Sequence, residues 1–376
     1  MSAVTGAAAD LIVSTNDAKY QRVAGSDTFP AEAPPDTLDL IDASSFPPKV
    51  VASVDVAASI AGPPQAVAIT PDGRLAIVSA PSRRDPAGER IVFGNDLQLV
   101  DLEAVPARAA GSVPLPHHPQ GLAINRAGSL LLAATVGGTV SVFEIRGKSL
   151  KPAGEVVVGQ GRLAGISFTP DGTAALVAMR DEQGLMVLDV NGTTVTTRRE
   201  RVSTGVAPYG VDVSGDGRWA VVGNVGLAGL PGDVGTLAGD MDSVTLVDIS
   251  QRPFRAVQHV SVPGLPEGVA ISPDGRWIAV LAMDGSNLKP DNPGRRERGR
   301  LVLFEIRDGQ AVLSGEEPAG EAGQGVVFTA DSRHVIAQFN VEKQLAVYAV
   351  DDGRLRDTGV RLDRPGGPSS IRSMPR

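Results

Sequence analysis

The sequence predicts an all-β fold in which seven four-stranded sheets close into a ring, the seven-bladed β-propeller. Three observations support this prediction. A turn of the type Ser/Thr-Pro-Asp-Gly recurs along the chain, short strands of alternating polarity flank it, and a strand such as Leu-Val-Leu-Phe-Glu-Ile follows. Units of about 40–50 residues with four strands each are typical of propellers. Because no sustained 3.6-residue apolar pattern is present, almost no helix is expected.

The turn joins the first two strands of each unit. Proline presets φ, aspartate bonds to the backbone two residues on, and glycine accepts a positive φ, so this sequence favours a tight reversal. The turn or a close variant occupies residues 70–73, 125–128, 169–172, 214–217, 272–275 and 329–332. The third strand of the unit recurs at residues 97–101, 139–145, 185–190, 244–249, 301–306 and 345–350.

The seventh blade is predicted to combine both ends of the chain. Residues 10–56 match the second to fourth strands of a unit, and residues 367–376 supply the missing first strand. Closure of this kind leaves no open sheet edge. The prediction is therefore a single domain over residues 1–376, with blades two to seven within residues 63–362.

The Ser/Thr-Pro-Asp-Gly-Arg turns, the Val-Ser-Val-Phe-Glu-Ile strand at residues 140–145 and the Pro-Gly-Gly-Pro segment at residues 365–368 resemble those of YVTN-repeat and lactonase-like seven-bladed propellers. The resemblance covers nearly the whole chain. It implies the propeller fold and suggests lactone hydrolysis, or a lyase or isomerase step. Such propellers include enzymes and non-catalytic binding proteins, so the function has to be argued from the site.

Composition excludes several classes of function. The formal net charge is −8, and no basic stripe with interleaved aromatic residues is present, which argues against nucleic acid as a partner. No apolar run has the length of a membrane span. The absence of cysteine excludes disulfides, thiolate ligands and a cysteine nucleophile. Residues 1–9 lack a signal-peptide pattern, while the resemblance favours an exported or periplasmic location over a cytoplasmic one.

Four insertions are predicted to lie on one face of the disc, which we call the top. Strands alternate in direction, so the Pro-Asp-Gly turns share the other face, the bottom. The insertions span residues 16–36, 81–96, 224–242 and 283–299. Long loops of this kind are usually binding loops or lids, which predicts a functional top face. The alternative is that long polar loops are tolerated because their closure costs little.

The top ends of the innermost strands are predicted to form a polar funnel around the central channel. The aligned residues there are Gln65, Gln120, Ala164, Tyr209, Glu267, Gln324 and Ser369. A hydrated channel mouth without a ligand is the alternative. Three positions further in, Asp212 and Arg372 interrupt a column of mostly small residues. A structural ion pair or water network is the favoured interpretation of this pair, because buried charges are usually paired.

We predict His118 as the general acid or base, because an unperturbed histidine titrates near neutral pH. Glu267 and Glu342 are the predicted partner carboxylates, which orient His118 or activate water. The adjacent His117 and His118 are a weak metal signal, so a divalent metal is left open and its ligands unknown. The Asn340–Glu342 segment resembles the Asn-Glu pair of lactonase-like relatives. Their Arg-His channel motif is absent here.

The remaining candidates are predicted to bind the substrate. Arginines would hold an anionic group by paired hydrogen bonds, and amides and a phenol would fix its orientation. The predicted set is Gln120, Arg162, Arg180, Tyr209, Asn224, Asp284, Gln324, Asn340 and Arg372.

Two functions remain open. The first is an enzyme acting in the top funnel on a small polar or anionic substrate, such as a lactone, sugar acid or related cyclic compound. The second is a non-catalytic scaffold that binds a ligand or a protein partner. The histidine pair and the insertions favour the enzyme, and the missing family motif favours the scaffold.

Overall fold

The computed structural model describes residues 10–88, 90–230 and 241–375. Its architecture is seven antiparallel four-stranded sheets, which confirms the predicted propeller. The strands are β1 (Leu11–Asp17), β2 (Gln21–Val23), β3 (Ser26–Thr28), β4 (Thr37–Asp42), β5 (Lys49–Asp55), β6 (Val67–Ile69), β7 (Leu75–Val78), β8 (Ser82–Arg84), β9 (Ile91–Phe93), β10 (Asp96–Asp101), β11 (Arg108–Pro114), β12 (Pro119–Ile124), β13 (Leu130–Thr135), β14 (Thr139–Arg146), β15 (Ser149–Val157), β16 (Leu163–Phe168), β17 (Ala174–Met179), β18 (Leu185–Asn191), β19 (Thr194–Val202), β20 (Pro208–Val213), β21 (Trp219–Asn224), β22 (Asp242–Asp248), β23 (Arg255–Val262), β24 (Pro266–Ile271), β25 (Trp277–Ala282), β26 (Arg300–Arg307), β27 (Gln310–Pro318), β28 (Gly323–Phe328), β29 (His334–Phe339), β30 (Gln344–Asp351), β31 (Arg354–Asp363) and β32 (Gly367–Ser373).

Blade one draws its strands from both ends of the chain, as the sequence predicts. Its order is β32-β1-β4-β5, so the C-terminal strand is the innermost. Val13 pairs with Arg372 and Ser14 with Ile371. Blades two to seven follow as β6-β7-β10-β11, β12-β13-β14-β15, β16-β17-β18-β19, β20-β21-β22-β23, β24-β25-β26-β27 and β28-β29-β30-β31.

The repeated turns are held by the same hydrogen bond. In blade two the hydroxyl of Thr70 lies 2.5 Å from Oδ1 of Asp72, and the glycine that follows, Gly73, has a φ of 72°. The pattern recurs at the pairs Thr169–Asp171, Ser214–Asp216, Ser272–Asp274 and Thr329–Asp331. In blade seven the left-handed position is taken by Ser332, with a φ of 61°. Turn chemistry therefore explains why this short sequence recurs.

The core lies between the faces of neighbouring blades. The second strands are buried along most of their length, as in β13, β17 and β25, whereas the outermost strands are mostly exposed, as in β11. Between blades six and seven, Trp277, Leu303, Phe328 and Tyr348 pack in one cluster. This burial of sheet against sheet orders the innermost strands around the channel.

Two insertions form hairpins of their own, β2–β3 in blade one and β8–β9 in blade two. The blade-five insertion begins with a 3-10 turn, Gly226–Gly229, and its residues 231–240 lie outside the described ranges. Within those ranges, no helix is long and apolar enough to cross a membrane.

Candidate functional site

The blade-one hairpin lies over neighbouring blades on the top face. Oε1 of Glu321 in blade seven accepts the backbone N–H of Ala24 at 2.6 Å. Nε2 of Gln21 donates to the carbonyl of Asn340 at 2.9 Å. A Cβ on Gly25 would lie 2.5 Å from the backbone nitrogen of Lys289 in the blade-six insertion. The insertions of blades one and six therefore meet above blade seven.

The blade-two hairpin, β8–β9, also contacts the blade-one insertion. We call the joined insertions of blades one, two and six the collar. Arg84 donates to the carbonyl of Lys19 at 3.3 Å, and its guanidinium lies over the ring of Phe29, 5.6 Å from the centroid. Phe93 packs against the ring of His118, with centroids 4.7 Å apart. The blade-one insertion thus contacts the insertions of blades two and six rather than standing apart in solvent.

His118 is held beneath the blade-two hairpin. Its Nδ1 lies 2.6 Å from the carbonyl of Gly94, so Nδ1 carries the donated proton and Nε2 is the free acceptor. Nε2 is buried and has no partner among the described residues. Burial lowers the pKa of His118, and the bond to Gly94 opposes this only in part. Its imidazole is therefore neutral at neutral pH.

Glu267, Tyr209 and Arg180 lie together, at the starts of the innermost strands β24 and β20 and just after the end of β17. The guanidinium of Arg180 lies 4.5 Å from the centre of the Tyr209 ring, and its Nε donates to the carbonyl of Gly229 at 2.9 Å. Burial raises the pKa of the Glu267 carboxyl to about 7, against the favourable charge of Arg180. The pKa of Tyr209 is raised by burial and by Glu267.

With that pKa, the Glu267 carboxyl changes its protonation near neutral pH, whereas the sequence predicted His118 as the group that does so. Oε2 of Glu267 is buried without a partner in the described structure. Oε1 of Gln324, from the corresponding position in blade seven, is another such acceptor. The two strands are close, since a Cβ on Gly268 would lie 2.6 Å from the carbonyl oxygen of Gln324.

Arg162 lies beside this group but is already paired. Its Nε and Nη2 bind the carboxylate of Asp181 at 3.0 and 2.7 Å, and Nη2 also donates to the carbonyl of Gly229 at 3.1 Å. Arg162 and Arg180 thus converge on one carbonyl of the blade-five insertion. The repeat pattern does not predict this pair of contacts, because Gly229 belongs to an insertion that is present in one blade.

The other predicted residues lie around the top face in separate contacts. Asp284 pairs with Arg296 and Arg300 at 3.3 and 3.1 Å. Oε1 of Glu342 accepts the backbone N–H of Glu321 at 2.8 Å. Among the described residues, no hydrogen bond or ion pair joins Glu267 to His118 or Glu342. The predicted partnership of these three groups stays a prediction.

The predicted amide residues Gln120, Asn224 and Asn340 are buried. Gln120 has 5% of its surface exposed. The side-chain NH₂ of Asn224 donates to Ser243 and to Thr245, the latter at 2.9 Å. That of Asn340 donates to the carbonyl of Pro368 at 3.1 Å. Asn224 and Asn340 each keep a buried Oδ1 without a partner among the described residues.

The side chain of Gln65 reaches across the channel to blade five, a contact that the repeat pattern does not predict. Its Nε2 donates to the carbonyl of Val211 in blade five at 2.5 Å, and its Oε1 accepts the N–H of the same residue at 3.1 Å. The N–H of Leu122 in blade three donates to the backbone carbonyl of Gln65. The Gln65 side chain thus joins the innermost strands of blades two and five across the channel.

Arg372 and Asp212 form the ion pair that the sequence analysis favoured. Nη1 of Arg372 lies 3.1 Å from Oδ1 of Asp212. Nη2 donates to the hydroxyl of Ser167 at 2.9 Å, and Oδ2 of Asp212 accepts the N–H of Ile271 at 2.9 Å. This pair lines a cavity at the bottom end of the channel, so Arg372 lies apart from the other predicted binding residues.

Metal ligands are not grouped in the described ranges. There, no three or more histidine, aspartate and glutamate side chains could hold one metal ion.

No family model and no curated protein sequence matches the chain. Solved structures are similar to it. A Bacteroides fragilis protein with a proposed 6-phosphogluconolactonase activity has a TM-score of 0.71 at 12% identity, over 99% of this chain and 100% of that one. One from Bacteroides uniformis, of the same proposed activity, has a TM-score of 0.69 at 16% identity, over 98% and 100%. A periplasmic gluconolactonase from Pseudomonas aeruginosa has a TM-score of 0.65 at 18% identity, over 96% and 99%. These likenesses show the fold, in a set that includes lactonase-like propellers.

Proposed function

We propose that the protein hydrolyses a small polyhydroxylated lactone at the top end of the channel, with Glu267 as the general base. The observation that carries this proposal is the state of the Glu267 carboxyl. One of its oxygens is buried without a partner, and its pKa of about 7 suits proton transfer at neutral pH. The lactonase-like neighbours in fold support the choice of substrate class by analogy.

The arrangement of unpartnered atoms favours a hydroxylated ligand. Oε2 of Glu267 and Oε1 of Gln324 are both acceptors and come from neighbouring blades. Leaving a buried acceptor unpaired costs about 1–3 kcal/mol, and a ligand hydroxyl removes that cost. Sugar lactones present several hydroxyls on one small ring.

The reaction adds one water molecule across the ester bond. The Glu267 carboxylate takes a proton from water as the oxygen attacks the lactone carbonyl. The ring C–O bond then breaks, and the protonated Glu267 returns the proton to the leaving oxygen, which gives the open hydroxy acid. The positive charge of Arg180 stabilises the oxyanion that develops between these steps.

The test is proton release from glucono-δ-lactone and related lactones, followed with a pH indicator. Glu267→Gln should lower the rate roughly 10²–10⁴-fold, because an essential general base is lost. Glu305→Gln is the control, since Glu305 pairs with Arg276 on the outer part of blade six. Equal rates in wild type and Glu267→Gln would refute the role of Glu267.

The same assay addresses His118 and the alternative function. His118→Ala tests whether that imidazole transfers a proton, which stays a separate proposal because no contact joins it to Glu267. Saturable binding of a lactone without turnover by the wild type would favour a non-catalytic binding protein.

A further inference from the structure

A cavity opens on the bottom face of the disc. Its volume is about 140 Å³, and strands from blades one to seven line it. Its lining includes Pro170 and Pro273 of the bottom turns and none of the residues proposed for the lactone site. Most of the lining side chains are apolar, and several of them are small, including Ala68, Ala123, Ala270 and Val327.

The polar part of the wall is an ion pair with spare donors. A guanidinium has five N–H groups. Three hydrogen bonds of Arg372 go to Asp212, Ser167 and the carbonyl of Ile166, which leaves two N–H groups without a partner in the described structure. Both oxygens of Asp212 already accept a hydrogen bond. The Arg372–Asp212 pair has no net charge, and the hydrogen-bonding groups that it leaves unused are mainly N–H donors.

The mouth adds a positive charge. Arg126 lines the cavity, is exposed, and makes no hydrogen bond or ion pair with any other described residue. The charged side chains of the lining are Arg126, Arg372 and Asp212, a net charge of +1. A small anion would lose little by leaving water here, because charge-assisted hydrogen bonds would replace its hydration.

We propose that this cavity binds a small organic carboxylate with a compact apolar body. The carboxylate lies between Arg126 and the free N–H groups of Arg372, and the apolar body packs against the alanine and valine side chains. A cavity of about 150 Å³ accommodates one benzene ring, so the size suits a ligand of that order. The site is independent of the lactonase proposal, because it lies at the opposite end of the channel.

Benzoate is the probe, with its binding measured by ligand-observed NMR titration of the full chain. We expect saturable binding with a Kd on the order of 1 mM, a realistic value for a ligand of this size. Benzylamine, which carries the opposite charge, should not bind. Arg126→Ala should raise the Kd for benzoate roughly five- to tenfold, because one charge-assisted hydrogen bond is lost.

Cavity-filling variants distinguish this site from the rest of the surface. Ala123→Leu and Ala270→Leu, on different blades, should each abolish benzoate binding, and the melting curve of each shows whether it folds. Arg333→Ala is the matched control, because Arg333 is exposed beside the corresponding turn of blade seven but does not line the cavity. The proposal is overturned if benzoate does not bind the wild type, or if its Kd is unchanged in a folded cavity-filling variant.

Discussion

Gln65 and Val211, 146 residues apart, form a pair of hydrogen bonds across the central channel. The amide of Gln65 acts like a strand backbone, because it donates to the carbonyl and accepts from the N–H of one residue. Gly165 makes room for this contact, since a Cβ there would lie 2.9 Å from the Val211 nitrogen. Blades two and five are thereby joined directly.

Replacing Gln65 by alanine should destabilise the fold by about 1–3 kcal/mol, because the buried N–H of Val211 loses its acceptor, while the Val211 carbonyl keeps the hydroxyl of Ser167 as donor. Gln258→Ala is the matched control. Gln258 makes the same two-bond contact to Ala311, but it joins the half-buried outer strands β23 and β27. Water can replace its bonds, so its loss should cost less than about 1 kcal/mol. Urea unfolding of both variants measures the difference, and equal costs would contradict the special role of the crossing.

Deleting residues 367–376 should destabilise the whole ring, because it removes the innermost strand of blade one. Loss of buried Ile371 and of the pairing with β1 should cost roughly 5 kcal/mol or more, which lowers the Tm of a 376-residue chain by about 6 °C or more. Deleting residues 375–376 alone is the control. If the chain is one domain, as we propose, the longer deletion shifts a single transition, whereas an unchanged Tm would refute closure by this strand.

Stability should fall as the pH rises from about 4.5 to 7, because the folded state holds a proton on Glu267 that the unfolded chain releases. Its pKa is about 7 in the fold and 4.5 in the unfolded chain, so the penalty reaches about 3 kcal/mol above pH 7. Glu267→Gln should lack this loss, and unfolding free energies between pH 4.5 and 8 measure it.

Glu305→Gln serves as the control for that titration. Hydrogen bonds from Arg276 and Arg307 lower the pKa of Glu305. Its contribution is therefore lost only as the pH falls through that lowered value, below the window of the Glu267 effect. Parallel curves for wild type and Glu267→Gln over pH 4.5–8 would show that the Glu267 pKa is not raised.

Glu321→Ala should release the blade-one hairpin from blade seven without unfolding the ring. Oε1 of Glu321 receives the N–H of Ala24 and lies 3.3 Å from Nη2 of Arg295. Backbone amides in β2 and β3 should then exchange with deuterium faster, whereas those of β1 should not change. Glu317→Ala, a change in the same blade junction away from the hairpin, is the control. Unchanged exchange in β2 and β3 would show that other contacts hold the collar.

The fold could be predicted because its signals are local. Each Pro-Asp-Gly turn is stabilised by a hydroxyl two residues before the aspartate, as in Thr70 and Asp72, and the strands beside it have their own polarity pattern. The order of blades and the pairing of Val13 with Arg372 then follow from the repeat. Short-range chemistry, repeated often enough, specifies the long-range arrangement.

The candidate site was only partly predictable. The entrance position of Glu267 and Tyr209 follows from alignment of the repeats, and so does the Arg372–Asp212 pair. The burial that raises the Glu267 pKa depends on residues from several blades, and the crossing of Gln65 joins residues 146 positions apart. Such contacts produce no repeated pattern in the sequence, because each of them occurs only once.

The two hydrogen bonds of Gln65 tie the innermost strands of blades two and five to each other through one side chain. A movement that widened the channel between these two blades would have to break both bonds at once. Gln65 therefore limits how far the ring can open along this line, although the two strands are 146 residues apart in the sequence.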